Sequence, residues 1–184
     1  MFIQSCYVLI LALAATNSLL ADCNNAIPRT TPDQAFTLHN DGTVTHNTTG
    51  LMWMRCLVGQ TWNGSTCSGI SPGYTWQNAL QTAKGFSFAG QNDWRLPNKN
   101  ELVSIVERAC LGPAINSTVF PDTDSRGAWS STPSGYFRDY DYNSSGRVRD
   151  YTAWGVDFGY GSTIKYSKIN EYEGLTVRLV RGGH

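Results

Sequence analysis

The chain has 184 residues, with 14 basic and 14 acidic side chains and a formal net charge of zero. Without a leader, that length still carries one domain with a sizeable core. The charge balance excludes a strong bulk field toward nucleic acid or an anionic membrane, so a charged binding face must be a local patch.

Tyr7 to Ala15 is an apolar run too short to span a bilayer. Thr16, Asn17 and Ser18 follow, then Leu19-Leu20-Ala21, which reads as a signal peptide over residues 1–21. No Lys or Arg precedes the run. A lipid on Cys23 is the competing reading, and Asp22 before it fits that poorly. The expectation is a secreted, periplasmic or cell-surface protein with no transmembrane segment after leader removal.

Residues 22–35 are polar, with Pro28 and Pro32, and read as an extended lead-in. Phe36 to Asn40, the turn dipeptide Asp41-Gly42, and Thr43 to His46 predict a hairpin. Asn47 to Gly50 makes a second turn, and Leu51 to Met54 a third strand. Trp76, Ala79, Leu80 and Ala83 recur at helical spacing within Tyr74 to Lys84, before Gly85. A second helix opens at Asn98, with Glu101 as its capping-box partner. Leu102, Ile105, Val106 and Ala109 form its apolar face, and Gly112-Pro113 stops it.

From Ala114 onward the chain is rich in Tyr, Ser, Gly, Asn and Asp. Strands are expected at Ala128 to Ser131, Tyr151 to Phe158, Thr163 to Ile169 and Leu175 to Val180, with one long loop from Thr132 to Asp150.

Cys6 lies in the leader, and Cys23, Cys56, Cys67 and Cys110 remain. An even count suits an oxidising compartment, and four cysteines allow three pairings. Cys56 and Cys67 flank a short polar loop and are paired here, leaving Cys23 to Cys110. Closing the shorter loop contributes roughly 3 kcal/mol in the chain-entropy model. Zinc ligation is the weaker alternative, because no CxxC or HxxxH spacing occurs.

Several motifs occur in a fixed order. They are Asp41-Gly42-Thr43-Val44, Thr49-Gly50-Leu51-Met52-Trp53, Asp93-Trp94-Arg95-Leu96-Pro97 with Glu101-Leu102, Phe120-Pro121, Trp129-Ser130-Ser131, Ala153-Trp154 and Val177-Arg178-Leu179-Val180-Arg181. Together, from Phe36 to Arg181, they resemble the bacterial Lcl C-terminal domain family, also called DUF1566 and named for a collagen-like adhesin. The family is grouped with C-type-lectin-like and formylglycine-generating-enzyme-like folds. The resemblance implies an α+β domain in residues 36–184, with two helices flanking a small twisted antiparallel sheet and long loops from the second half displaying the binding surface. The naming adhesin binds sulfated glycosaminoglycans, but this chain lacks its collagen repeats.

Candidate binding residues lie in the second half. Arg138, Tyr140, Tyr142, Asn143 and Arg147 combine rigid aromatic area with adaptable hydrogen bonding. Trp154, Tyr160 and Tyr166 alternate along strand-like runs with Phe158, so one set faces out. Lys165 and Lys168, with Arg178 and Arg181, would form one basic patch suited to sulfate or carboxylate groups, if Asp157, Glu171 and Glu173 do not neutralise it. Asp139, Asp141, Asn143 and Asp150 have the spacing of calcium ligands, although Ser144 stands where such a loop needs Gly. Calcium is thus the only cofactor suggested. Asp93 to Pro97 reads first as core packing, with Arg95 paired, and second as a ligand platform.

Catalysis finds little support. His39, His46 and His184 are the only histidines, and no GxSxG, HExxH or phosphate loop occurs. Formylglycine-generating relatives use late cysteines, and none follows Cys110. A carboxylate pair for glycoside hydrolysis is not singled out. The Asn-x-Ser/Thr triplets at Asn47, Asn63, Asn116 and Asn143 read as turn chemistry.

The expected function is a non-catalytic adhesion module for a glycan, a glycosaminoglycan-like polyanion or a cell-surface protein. The alternative is a structural or protein-interaction subunit of a cell-surface assembly, with an oligomer as one form.

Overall fold

A computed structural model of the chain describes residues 21–134, 152–169 and 174–182. It is an α+β arrangement of small antiparallel sheets, two helices and two disulfides. The strands β2 (Phe36–Leu38), β3 (Thr43–His46) and β4 (Leu51–Met54) form the expected meander. The first turn takes three residues rather than two, because His39 N–H donates to the Thr43 carbonyl and the Asp41 carboxylate accepts from both the amide and hydroxyl of Thr43. Gly42 closes that turn at φ +85°, with the Trp62 ring directly above it, where a Cβ would come within 2.7 Å.

Helix α1 spans Trp76–Ala83, capped by the Thr75 side chain, and buries Ala79 and Ala83. Helix α2 opens with the expected capping box between Asn98 and Glu101, but it spans only Lys99–Val103. The chain diverges there because Glu107, fully buried, turns toward the lead-in. Its carboxylate accepts from the amides of Thr30, Thr31 and Ala109. Ile105, Val106 and Ala109 are still buried, so the apolar spacing marked core without marking a continuous helix.

Two strands of two residues, β1 (Asp22–Cys23) and β7 (Cys110–Leu111), pair with Cys23 opposite Cys110. The disulfides are Cys23–Cys110 and Cys56–Cys67, as paired from the sequence. The second staples β5 (Thr61–Trp62) and β6 (Cys67–Ser68) to the body. Disulfides of this kind suit an extracytoplasmic protein. Among the described residues no helix is long and apolar enough to cross a membrane.

A second sheet has the order β10-β9-β8, from β8 (Gly127–Pro133), β9 (Thr152–Asp157) and β10 (Ser162–Ser167). Thr132 and Pro133 therefore belong to a strand, not to the long loop expected from Thr132. The expected strand Leu175 to Val180 is instead a seam between sheets. Leu175 bridges Tyr74 and Thr176 bridges Ala128, whereas Val58 and Met54 donate to the Val177 and Leu179 carbonyls. Only Val180–Arg181 forms a strand, β11, beside β4. Gly174 enters the seam against Gly73, where a Cβ on Gly174 would lie 2.5 Å from backbone atoms of Gly73 and Tyr74.

Two apolar clusters fill the interior. One joins Val44, Trp53, Leu102, Phe120, Val156 and Val180, and the other joins Ala79, Trp94, Leu96, Trp129, Val177 and Leu179. Successive seam residues thus feed opposite clusters, as strand-like alternation requires.

Candidate functional site

The site is set by the pleat of β9 and β10. Val156 joins the cluster that holds Leu102 of α2, so Trp154, two residues earlier, shares the face on which α2 lies. Lys165 is the register partner of Trp154, and its Nζ lies 5.2 Å from the ring centroid. Lys99, first residue of α2, approaches the same ring, with Nζ at 4.7 Å.

A bulge in β8 brings Lys99 there. The register with β9 shifts between Trp129 and Pro133, which leaves Ser131 and Thr132 off the ladder. Ser131 N–H donates to the Pro97 carbonyl at 2.7 Å, and Lys99 N–H donates to Thr132 Oγ1 at 2.9 Å. The helix start is thereby pinned over the end of the sheet. Ser130 Oγ, buried, donates to the Trp154 carbonyl at 2.6 Å and fixes the backbone beneath the ring. Among the described residues no carboxylate forms an ion pair with Lys99 or Lys165. The result is a half-buried indole carrying two ammonium groups, a pairing that favours anions at its rim.

The opposite face of β10 carries a second pair. Tyr166 packs edge-on against Trp129 at 5.9 Å, and burial, with the nearby Asp157 charge, pushes its hydroxyl up to about 12. Lys168 Nζ lies 4.6 Å from the Trp76 ring, whose Nε1 donates to the Ser130 carbonyl. Lys165 and Lys168 thus engage different tryptophans, Lys165 from β10 and Lys168 from the turn just after it.

The four-residue basic patch expected from the sequence does not form. Arg178 is fully buried, with its guanidinium donating to the Met54 and Arg55 carbonyls and to Thr123 Oγ1, over the Phe120 ring. Burial pushes it down to about 9. Arg181 is paired with Asp93 through two contacts, at 2.7 and 3.1 Å. The alternation that puts Val180 in the core also puts Arg178 there.

Tyr160 is 76% exposed in the turn between β9 and β10, and Phe158 is buried. The other expected binding residues, Arg138, Tyr140, Tyr142, Asn143 and Arg147, lie outside the described residues, as do all four calcium candidates, Asp139, Asp141, Asn143 and Asp150.

Asp93 to Pro97 is structural in its contacts. Trp94 is buried and donates from Nε1 to the Phe88 carbonyl at 3.0 Å. Arg95 forks onto Glu101 with two bonds of 2.8 Å and reaches the Gly182 carbonyl. Those bonds, chiefly the Arg95 side chain, hold the Glu101 carboxyl below its ordinary range. A shallow groove of about 320 Å³ runs alongside, lined by Leu80, Lys84, Trp94, Leu96 and Ser131 among others.

Both described histidines sit in the first hairpin, each hydrogen-bonded to a threonine, His39 to Thr45 and His46 to Thr49. Burial lowers the His46 pKa. Asn63 and Asn116 accept from amides two and three residues on, which is turn chemistry.

The family model described as the Lcl C-terminal domain matches residues 42–181. The chain belongs to that family. No curated protein matches it. In this Lcl C-terminal domain the matched span includes Lys99, Trp154, Lys165 and Lys168, so the whole aromatic and basic site lies on family sequence. Lys99 was not legible as a site residue. Its only sequence signal is its place just after the N-cap, and its partner ring is brought in by a bulge far along the chain.

Proposed function

We propose that this Lcl C-terminal domain is a non-catalytic, exported adhesion module on a C-type-lectin-like scaffold, recognising glycans or other surface polyanions. One observation carries the reading: Trp154 is half-buried with the ammonium groups of Lys99 and Lys165 on its ring. A sugar ring can stack on the indole while a sulfate or carboxylate meets either ammonium.

A glycan array probed with residues 22–184, with and without calcium, tests the reading. Binding to acidic glycans that weakens in Trp154→Ala is expected. No binding to any glycan or polyanion would overturn it.

A protein-interaction role is the second reading, favoured by the exposed Tyr160, Ile164 and Ile169 along the β10 edge. Cross-linking and size analysis at native concentration separate the two.

A further inference from the structure

The two disulfides occupy different chemical settings. Cys56 and Cys67 are both buried, at 2% and 5% exposure. In the other bridge Cys110 is buried, but Cys23 is partly exposed on the two-residue strand β1. The exposed Arg29 lies over that bridge, with Nη1 2.8 Å from Cys110 Sγ and 3.4 Å from Cys23 Sγ. The buried Glu107 carboxylate is taken by the amides of Thr30, Thr31 and Ala109. The guanidinium is thus the charged group in contact with the sulfurs.

We propose that Cys23–Cys110 is a thiol–disulfide exchange site for a dithiol reductant, whereas Cys56–Cys67 is purely structural. A thiolate of the reductant attacks the accessible Cys23 Sγ. A new sulfur–sulfur bond forms there as the Cys23–Cys110 bond breaks, and Cys110 leaves as a thiolate beside Arg29. A cation against the leaving sulfur speeds this step, because a better-stabilised thiolate leaves faster. The second thiol of the reductant then attacks its own bridged sulfur, closes a cyclic disulfide and releases the Cys23 thiolate. The reductant loses two electrons and the bridge gains them.

Opening is local. Among the described residues, the backbone bonds that tie residues 22–29 to the rest are the β1–β7 pairing and the one from Asn24 N–H to the Ala109 carbonyl, while Glu107 still grips Thr30 and Thr31. Both apolar clusters lie beyond that clasp.

The test is timed alkylation and peptide mapping of the folded domain in a dithiol buffer, without denaturant, for wild type, Arg29→Ala and Arg29→Lys. Cys23 and Cys110 should become reactive about tenfold or more ahead of Cys56 and Cys67. Arg29→Ala should slow that opening about threefold to tenfold, and Arg29→Lys should restore most of the rate. A monothiol should leave its mixed disulfide on Cys23. The proposal is overturned if both bridges open together, if Arg29→Ala opens at the wild-type rate, or if the adduct sits on Cys110. Far-ultraviolet circular dichroism confirms that each variant is folded, and the order in which the two bridges open in the wild type, with the position of the monothiol adduct, carries the test should the alanine variant not fold.

Discussion

The Lys99 ammonium lies 4.7 Å from the centre of the Trp154 ring, held there by the bond from Lys99 N–H to Thr132. Lys165 approaches the same ring from the neighbouring strand. Each lysine should therefore contribute separately to anion affinity. Lys99→Ala and Lys165→Ala should each weaken binding to a sulfated polysaccharide by about 0.5–1.5 kcal/mol, and Trp154→Ala by more. Isothermal titration at two salt concentrations checks this, because the lysine variants should also flatten the salt dependence.

Glu107 is the next point of leverage. Its carboxylate satisfies three backbone amides and the Thr31 hydroxyl in a fully buried position. Glu107→Gln sets an amide donor against amides that need an acceptor. A loss of about 2–4 kcal/mol is expected, read by urea unfolding.

Gly174 faces Gly73 across the seam so closely that any Cβ meets backbone. Gly174→Ala should cost about 2–3 kcal/mol or more, since neither partner is a movable side chain. Gly64→Ala is the control for a glycine with positive φ, because a Cβ there meets nothing within 4 Å. Its cost should be the smaller in thermal melts.

Acid should destabilise the domain in two steps. Burial lowers the His46 pKa below its ordinary 6.5, so the unfolded chain takes up that proton first and stability falls as pH drops below 6.5. Burial pushes the Glu107 carboxyl up, but the Ala109, Thr31 and Thr30 hydrogen bonds outweigh it and hold the pKa below the ordinary 4.5. Arg95 does the same for Glu101. Both contributions are complete above 4.5 and are lost as pH falls through the lower folded values. Unfolding midpoints measured from pH 7 to 3 should decline below 6.5 and more steeply below 4.5. His46→Phe should remove the first decline.

Local signals are legible in the sequence and most long-range ones are not, Cys23 with Cys110 following only once Cys56 and Cys67 are paired. The Asp41-Gly42 turn, the Asn98 and Glu101 capping box, and the pairing of Cys56 with Cys67 each rest on residues close in sequence, and each is present. Helix α2 ends earlier than its spacing implies because Ile105, Val106 and Ala109 keep helical spacing while Glu107 is claimed by Thr30 and Thr31 from far upstream. Arg178 was misplaced for a related reason. Alternation says which residues share a face but not which face is interior, and here Phe120 and two carbonyls make the inner one. Trp154 and Lys165 stand out by their alternation and charge, yet Lys99 depends on the β8 bulge, which no local pattern announces.

The seam from Leu175 to Val180 has a consequence for biogenesis. It bonds to β8 and Tyr74 at one end and to β4 at the other, so neither sheet has all its neighbours until residues 175–181 have been made. Closing such distant partners is slow, because loop entropy must be overcome before the contacts reward it. Until the seam is in place, the two sheets stay unlocked from one another.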